Sequence, residues 1–513
     1  MKKAAWITAI ALFGGPAPAQ DSAPMSAIDW LSRSVVPMVS GAPVDLEPVQ
    51  IEPTGAATPE VTVVALDAPS PDVIGILPPS ATGLPRRLWG NGAESTLVQS
   101  IGEVPVETLP AMRDMMVMML LAEADAPIDA GPEGRLFLAR VDKLLDLGAL
   151  DQAQALLEAA GPSDAEQFRR WFDITLLTGT EDKSCAALRD APDLSPTYAT
   201  RIFCIARGGD WDSAALILNT GRALGDIPPD IDALLERFLD TAGDDSGQVL
   251  TPPDRISPLV FRLYEAIGEP FATANLPRAF AFADLRPIAS WRNQLEAAER
   301  LARAGDIDAN VLHALYTRQT PAASGGIWDR AAAYQAVTQA IRSGDTDAVA
   351  ATLAPAWAAM KTARTETVFA RTFAQDLLTL PLTGTTQDLA FEIALLSPLY
   401  ETAAQSHIPT TVDQAFWIAV AKGDLSQVTA STRAQEVVLN GFSGATPVAP
   451  QVSQYLADGN IGQALIYCFQ TFSDGLLGDP SAISAALTTL RTLGLEVTAR
   501  RAALQYLLLE GRG

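Results

Sequence analysis

Five of the nine methionines fall in one short run, Met112, Met115, Met116, Met118 and Met119. Thioethers are soft ligands that suit copper(I), and four of these residues, at 112, 115, 116 and 119, share one face of a helix. The run continues into Leu120-Leu121-Ala122, so the same spacing describes a buried core helix, which is the reading adopted. Sixty acidic residues supply carboxylate pairs, Glu296 and Glu299 among them, and glycoside cleavage needs only two carboxylates. Such abundance makes any one pair uninformative. A Ser-His-Asp triad would need His313 or His407, the two histidines of the chain, and neither has a companion motif, so both read as structural. There is no Gly-x4-Gly-Lys-Ser/Thr loop and no Cys-x2-Cys pair. The expectation is a non-enzymatic protein with no catalytic residue, no cofactor and no metal.

Three cysteines remain. Cys185 and Cys204 lie in neighbouring helical segments separated by the turn-like stretch Asp190 to Ser195, and a disulfide between them would staple that hairpin. In an oxidising compartment a loop of about twenty residues contributes roughly 3 kcal/mol. Cys468 sits in an apolar helix and reads as core filling.

The elements that carry these residues are marked by a recurring phrase. It appears at Gly148-Ala-Leu-Asp151, Gly209-Asp-Trp-Asp212, Gly344-Asp-Thr-Asp347, Gly423-Asp-Leu-Ser426 and Gly459-Asn-Ile-Gly462, with a weaker copy at Gly305-Asp-Ile-Asp308. Each glycine follows an apolar-periodic run and suits the left-handed residue that closes a helix. The small or acidic residue three positions later is expected to cap the next helix. Gly305 to Gly344 and Gly423 to Gly459 each span about one helical hairpin, and Gly344 to Gly423 about two. The predicted fold is all-α, an irregular solenoid of helical hairpins behind a proline-rich arm.

Lys2 and Lys3, an apolar run from Ala4 to Phe13 and the small residues Ala17-Pro18-Ala19 make residues 1–19 a signal peptide, which predicts a periplasmic protein with no membrane span. Residues 20–104 read as an extended arm dense in proline. In it the stretches around Ile74 to Leu77 and Leu88-Trp89 are expected to dock onto the chain's own body, and Trp30 and Leu31 onto a partner. Glycine, proline and acidic residues from Ala242 to Asp254 separate an N-terminal helical lobe, 105–243, from a C-terminal solenoid lobe, 257–513. Trp328, after the Gly325-Gly326 break, is a third candidate docking residue, with core packing as its first reading. The net charge of −24 disfavours nucleic acid and anionic membrane surfaces and favours basic partners.

The hairpin spacing resembles the tetratricopeptide-type α-solenoids, without their fuller Trp-Leu-Gly-Tyr pattern. That resemblance implies an extended concave surface for a protein or peptide partner. The superstructure also resembles the non-catalytic helical ring of soluble lytic transglycosylases, with no lysozyme-like catalytic segment beside it. Signal peptide, Ala/Thr/Pro-rich arm and solenoid together are similar to exported alphaproteobacterial proteins that carry an antifreeze-glycopeptide label. Tracts such as Ala350-Ala351-Thr352 are isolated, however, and offer no regular threonine lattice for ice. The function expected is a periplasmic scaffold or adaptor binding a protein or peptide in a cell-envelope assembly. The alternative is an all-helical, carboxylate-dependent polysaccharide enzyme, with copper handling third.

Overall fold

The computed structural model describes residues 70–195, 197–240 and 250–509. The signal peptide, Trp30 and Leu31 lie outside them. Among the described residues every regular element is helical, and one isolated bridge joins Leu77 to Ala122. Successive helices pack in pairs, as Ile327–Ser343 does with Thr346–Ala363, Ile461–Leu476 with Pro480–Thr492, and Tyr198–Arg207 with Trp211–Leu224. The expected all-α array of hairpins is present.

Its turns follow the glycine phrase. Gly148, Gly209, Gly305, Gly344, Gly423 and Gly459 all have φ between 68° and 89°, the region that a side chain disfavours. In most copies the cap lies elsewhere than the spacing suggested. After Gly148, Gly209, Gly344 and Gly459 the next helix starts two residues on, so the cap position directly follows the glycine; after Gly305 the helix Ala309–Thr317 has Asp308 at its cap position, three residues on as expected, though its side chain makes no capping bond. Asp210 accepts from Ser213 N, and Asp345 from Asp347 N and Ala348 N. After Gly423 no helix begins at once; the next one, Arg433–Ser443, is capped by Thr432.

Two copies of the phrase have left capping for long-range work. Asn460 Oδ1 accepts from Asn91 N, and Gly462 N donates to Leu88 O at 2.7 Å. A Cβ on Gly462 would stand 2.6 Å from the Trp89 ring, so only glycine lets these backbones meet. Asp306 is buried against Arg113, 2.7 Å away. The start and end of the described chain are thereby joined. The helix Pro110–Leu121 packs against the last helix, Glu496–Leu508, and Gln505 Oε1 accepts from Ala111 N. Met112, Met115, Met116 and Met119 are buried in that closure.

The packed body begins inside the stretch read as an extended arm. The helix Glu94–Glu103 forms there, Leu84, Leu88 and Trp89 are buried, and Ile76 N and Leu77 N donate to Leu121 O. Arg140, fully buried, fixes this docking: its guanidinium donates to the carbonyls of Leu120, Ala122, Asp72 and Ile74. The two expected lobes are also in contact, because Pro258–Ala266 packs on Ala165–Thr178.

Candidate functional site

The helix Ala165–Thr178 is buried on all sides from Gln167 to Leu177. An aspartate inside such a run is out of place, since an ionised carboxylate away from water needs partners. Asp173 is 3% exposed, and its Oδ2 accepts no hydrogen bond among the described residues. Two cations stand near it, Arg169 and Arg170, and both are engaged elsewhere. Arg169 pairs with Glu166 at 2.7 Å, and Arg170 holds both oxygens of Asp142 at 2.6 and 2.9 Å. Burial therefore outweighs them and pushes the Asp173 carboxyl up to about 7.

Asp173 forms part of the wall of a cavity of about 340 Å³. Phe168, Phe172, Tyr198, Ile231 and Leu263 give that cavity an apolar, aromatic lining, while Ser195, Thr197 and Thr200 add hydroxyls. Thr197 and Thr200 bond one another at 2.8 Å. The walls come from four helices, Ala165–Thr178, Tyr198–Arg207, Pro229–Leu239 and Pro258–Ala266, so the site spans the expected lobe boundary. Cys185 and Cys204 are bonded, with Cα atoms 5.1 Å apart, and tie one of those helices to Glu181–Asp190. Arg169 and the exposed Asp226 also line the pocket, but Arg169 is paired with Glu166, so the buried acid that lacks a partner gives the apolar wall a place for an apolar group that ends in a cation.

The other residues singled out by type are placed as follows. Trp328 is half-buried, with its ring 5.0 Å from that of Trp291, beside a shallow surface cavity. Glu299 is buried and held by Arg330 and Tyr316, while Glu296 pairs with Arg292 on the surface, so the two acids do separate structural work. His313 meets the Tyr334 hydroxyl at 3.0 Å, and burial together with Arg342 lowers its pKa. His407 stacks on Phe391 at 3.9 Å. Cys468 is a buried free thiol, pushed up to about 12 by burial. Among the described residues no group of three or more His, Cys, Asp and Glu side chains is set to hold a metal ion, and no helix is long and apolar enough to cross a membrane.

Sequence reasoning passed over Asp173. Its signal was there: one acid in the apolar run Trp171-Phe-Asp173-Ile-Thr-Leu-Leu177. Compared with family models, with curated proteins and with solved structures, the chain matches none, and the reading of this cavity rests on its own geometry.

Proposed function

We propose that this chain is a non-enzymatic scaffold or adaptor of the bacterial periplasm. It binds a protein or peptide of the cell envelope and receives from that partner an apolar side chain ending in a cation, lysine or arginine. The tetratricopeptide-like reading of the array fits this role, because stacked hairpins bind partners along their surfaces. The observation that carries the proposal is the partnerless Asp173 carboxyl at the wall of an aromatic cavity. A cation entering there replaces a proton and supplies the missing partner. The acidic surface of the whole chain attracts the same class of ligand.

The test uses the full chain with a photo-crosslinking residue in place of Leu259, expressed in its native envelope, alongside calorimetry with hexylammonium. The expected result is a crosslink to one envelope protein at a Lys- or Arg-bearing segment, together with hexylammonium binding that strengthens between pH 6 and 8 and disappears in D173N. Crosslinks to cell-wall glycan alone, or hexylammonium binding indifferent to D173N, would overturn the reading. Glycan capture would favour the polysaccharide enzyme. One feature favours that alternative already: an acid kept protonated to about pH 7 in an apolar pocket has the environment of a general acid, and Asp226 lines the same cavity.

A further inference from the structure

A second cavity, about 550 Å³, opens where the start of the helix Pro110–Leu121 meets the turn at residues 275–279, the end of the helix Trp291–Ala304 and the start of Glu366–Thr379. Four guanidinium groups line it in a chain with 36 basic and 60 acidic residues: Arg278, Arg300, Arg303 and Arg364. They come from three separate segments, so no spacing in the sequence brings them together.

Two of these arginines, Arg300 and Arg303, are held mainly by backbone carbonyls, while Arg278 is also paired with acids. Arg300 donates to Thr273 O at 2.8 Å and Leu276 O at 2.7 Å, and no carboxylate among the described residues lies within 4 Å of it. Arg303 donates to Ala363 O at 2.6 Å and stands 3.6 Å from Glu299, an acid already held by Arg330 at 2.7 Å. Arg278 donates to Leu147 O and pairs with Asp306 at 2.8 Å and with the exposed Glu107 at 3.3 Å. Carbonyls orient a guanidinium and leave its charge in place. Burial first, then the neighbouring charges of Arg278 and Arg303, lower the pKa of Arg300, as expected of crowded cations.

Arg364 supplies an independent sign. It closes the helix Thr346–Ala363 at φ 56°, and it is the one residue other than glycine with positive φ among the described residues. Elsewhere in the chain that position is filled by glycine, as at Gly225, Gly305, Gly344 and Gly423. A residue other than glycine in the left-handed region carries backbone strain, and such strain clusters at functional sites. The remaining acids of the wall are Asp146, 3.6 Å from Lys143, and the buried Glu366. Leu276, Ala279 and Leu509 give the cavity an apolar side.

We propose that this cavity binds a small organic anion, with a carboxylate or phosphate head on the arginines and a short apolar body against Leu276 and Leu509. The planar fork of arginine matches either head bidentately. The proposal is independent of the Asp173 cavity.

Calorimetry of the full chain with hexyl phosphate, hexanoate and neutral hexanol tests it. The expected result is saturable binding of one anion per chain by at least one of the two, none of hexanol, and at least tenfold weaker binding in R364G and in R300Q. The ratio of the two anions tells which head the site prefers. R364G puts glycine where a left-handed residue is required and so keeps the fold, which its thermal melt verifies. Absence of binding by both anions, equal binding of hexanol, or anion binding unchanged in R364G and R300Q would overturn the proposal.

Discussion

The two cavities hold opposite charge for related reasons. At Asp173 the nearby arginines have better partners, Glu166 and Asp142, so the carboxyl is left without one and keeps its proton. At Arg300 backbone carbonyls occupy the guanidinium, which stays charged and without an acid. What a buried ionisable group offers a ligand depends on what its neighbours have already bonded. Composition is a poor guide to this, since an overall acidic chain contains an arginine-lined cavity.

The largest effect expected is at Asp306, the buried carboxylate that holds Arg113 and Arg278 together beside the arginine cavity. Removing it in D306A leaves Arg113 buried without an acid and should cost about 3–5 kcal/mol in a urea titration. The pair itself is not a large source of stability. Burial raises Asp306 to about 6 and lowers Arg113 in spite of their contact. Replacing both, as R113M with D306L, should therefore cost much less than D306A alone.

Next in size is a pH effect that is strongest at the other cavity. Asp173 titrates near 7 in the folded chain and near 4 when unfolded, so the folded state holds the extra proton between those values. Stability should fall as pH rises from about 4 to about 7 and then level off. D173N removes the Asp173 share of that dependence and leaves the share of Asp306, whose carboxyl burial also raises. It should be more stable than the parent by roughly 4 kcal/mol at pH 8 and about equal to it at pH 4, read from urea midpoints at the two pH values.

Opening the Cys185–Cys204 disulfide, as the double serine variant, should cost about 3 kcal/mol. It should also weaken hexylammonium binding while hexyl phosphate binding is retained, because the staple adjoins one cavity only. The smallest effect has the opposite sign: R364G should raise stability by about 1 kcal/mol through relief of the left-handed strain, read from the same urea titration. Equal behaviour of the two cavities across this series would remove the distinction drawn between them.

Local features were legible in the sequence and distant ones were not. The left-handed glycines and the disulfide depend on single turns or on one helical hairpin, and the apolar run of Pro110–Leu121 marked its methionines as core although the helix that covers them lies at the far end of the chain. The capping position was displaced because the spacing alone does not say where the next helix begins. The stretch from 70 to 104 looked extended because its prolines mark breaks, whereas its apolar residues find cover from later helices, Arg135–Asp146 above all and Ile461–Leu476 beside Trp89. Contacts between separate segments likewise hid the arginine cavity. Asp173 was hidden by numbers, as one acid among sixty, until the burial of its whole helix set it apart.

The closure between Ala111 and Gln505, 394 residues apart, also sets a timetable for synthesis. At about 5–20 residues per second, the methionine helix leaves the ribosome some 20–80 s before its covering helix exists. During that interval the face that Glu496–Leu508 will cover meets water or a chaperone, while Arg135–Asp146 can already cover another, so the nascent chain is open to misassembly at its own beginning until its last helix is made.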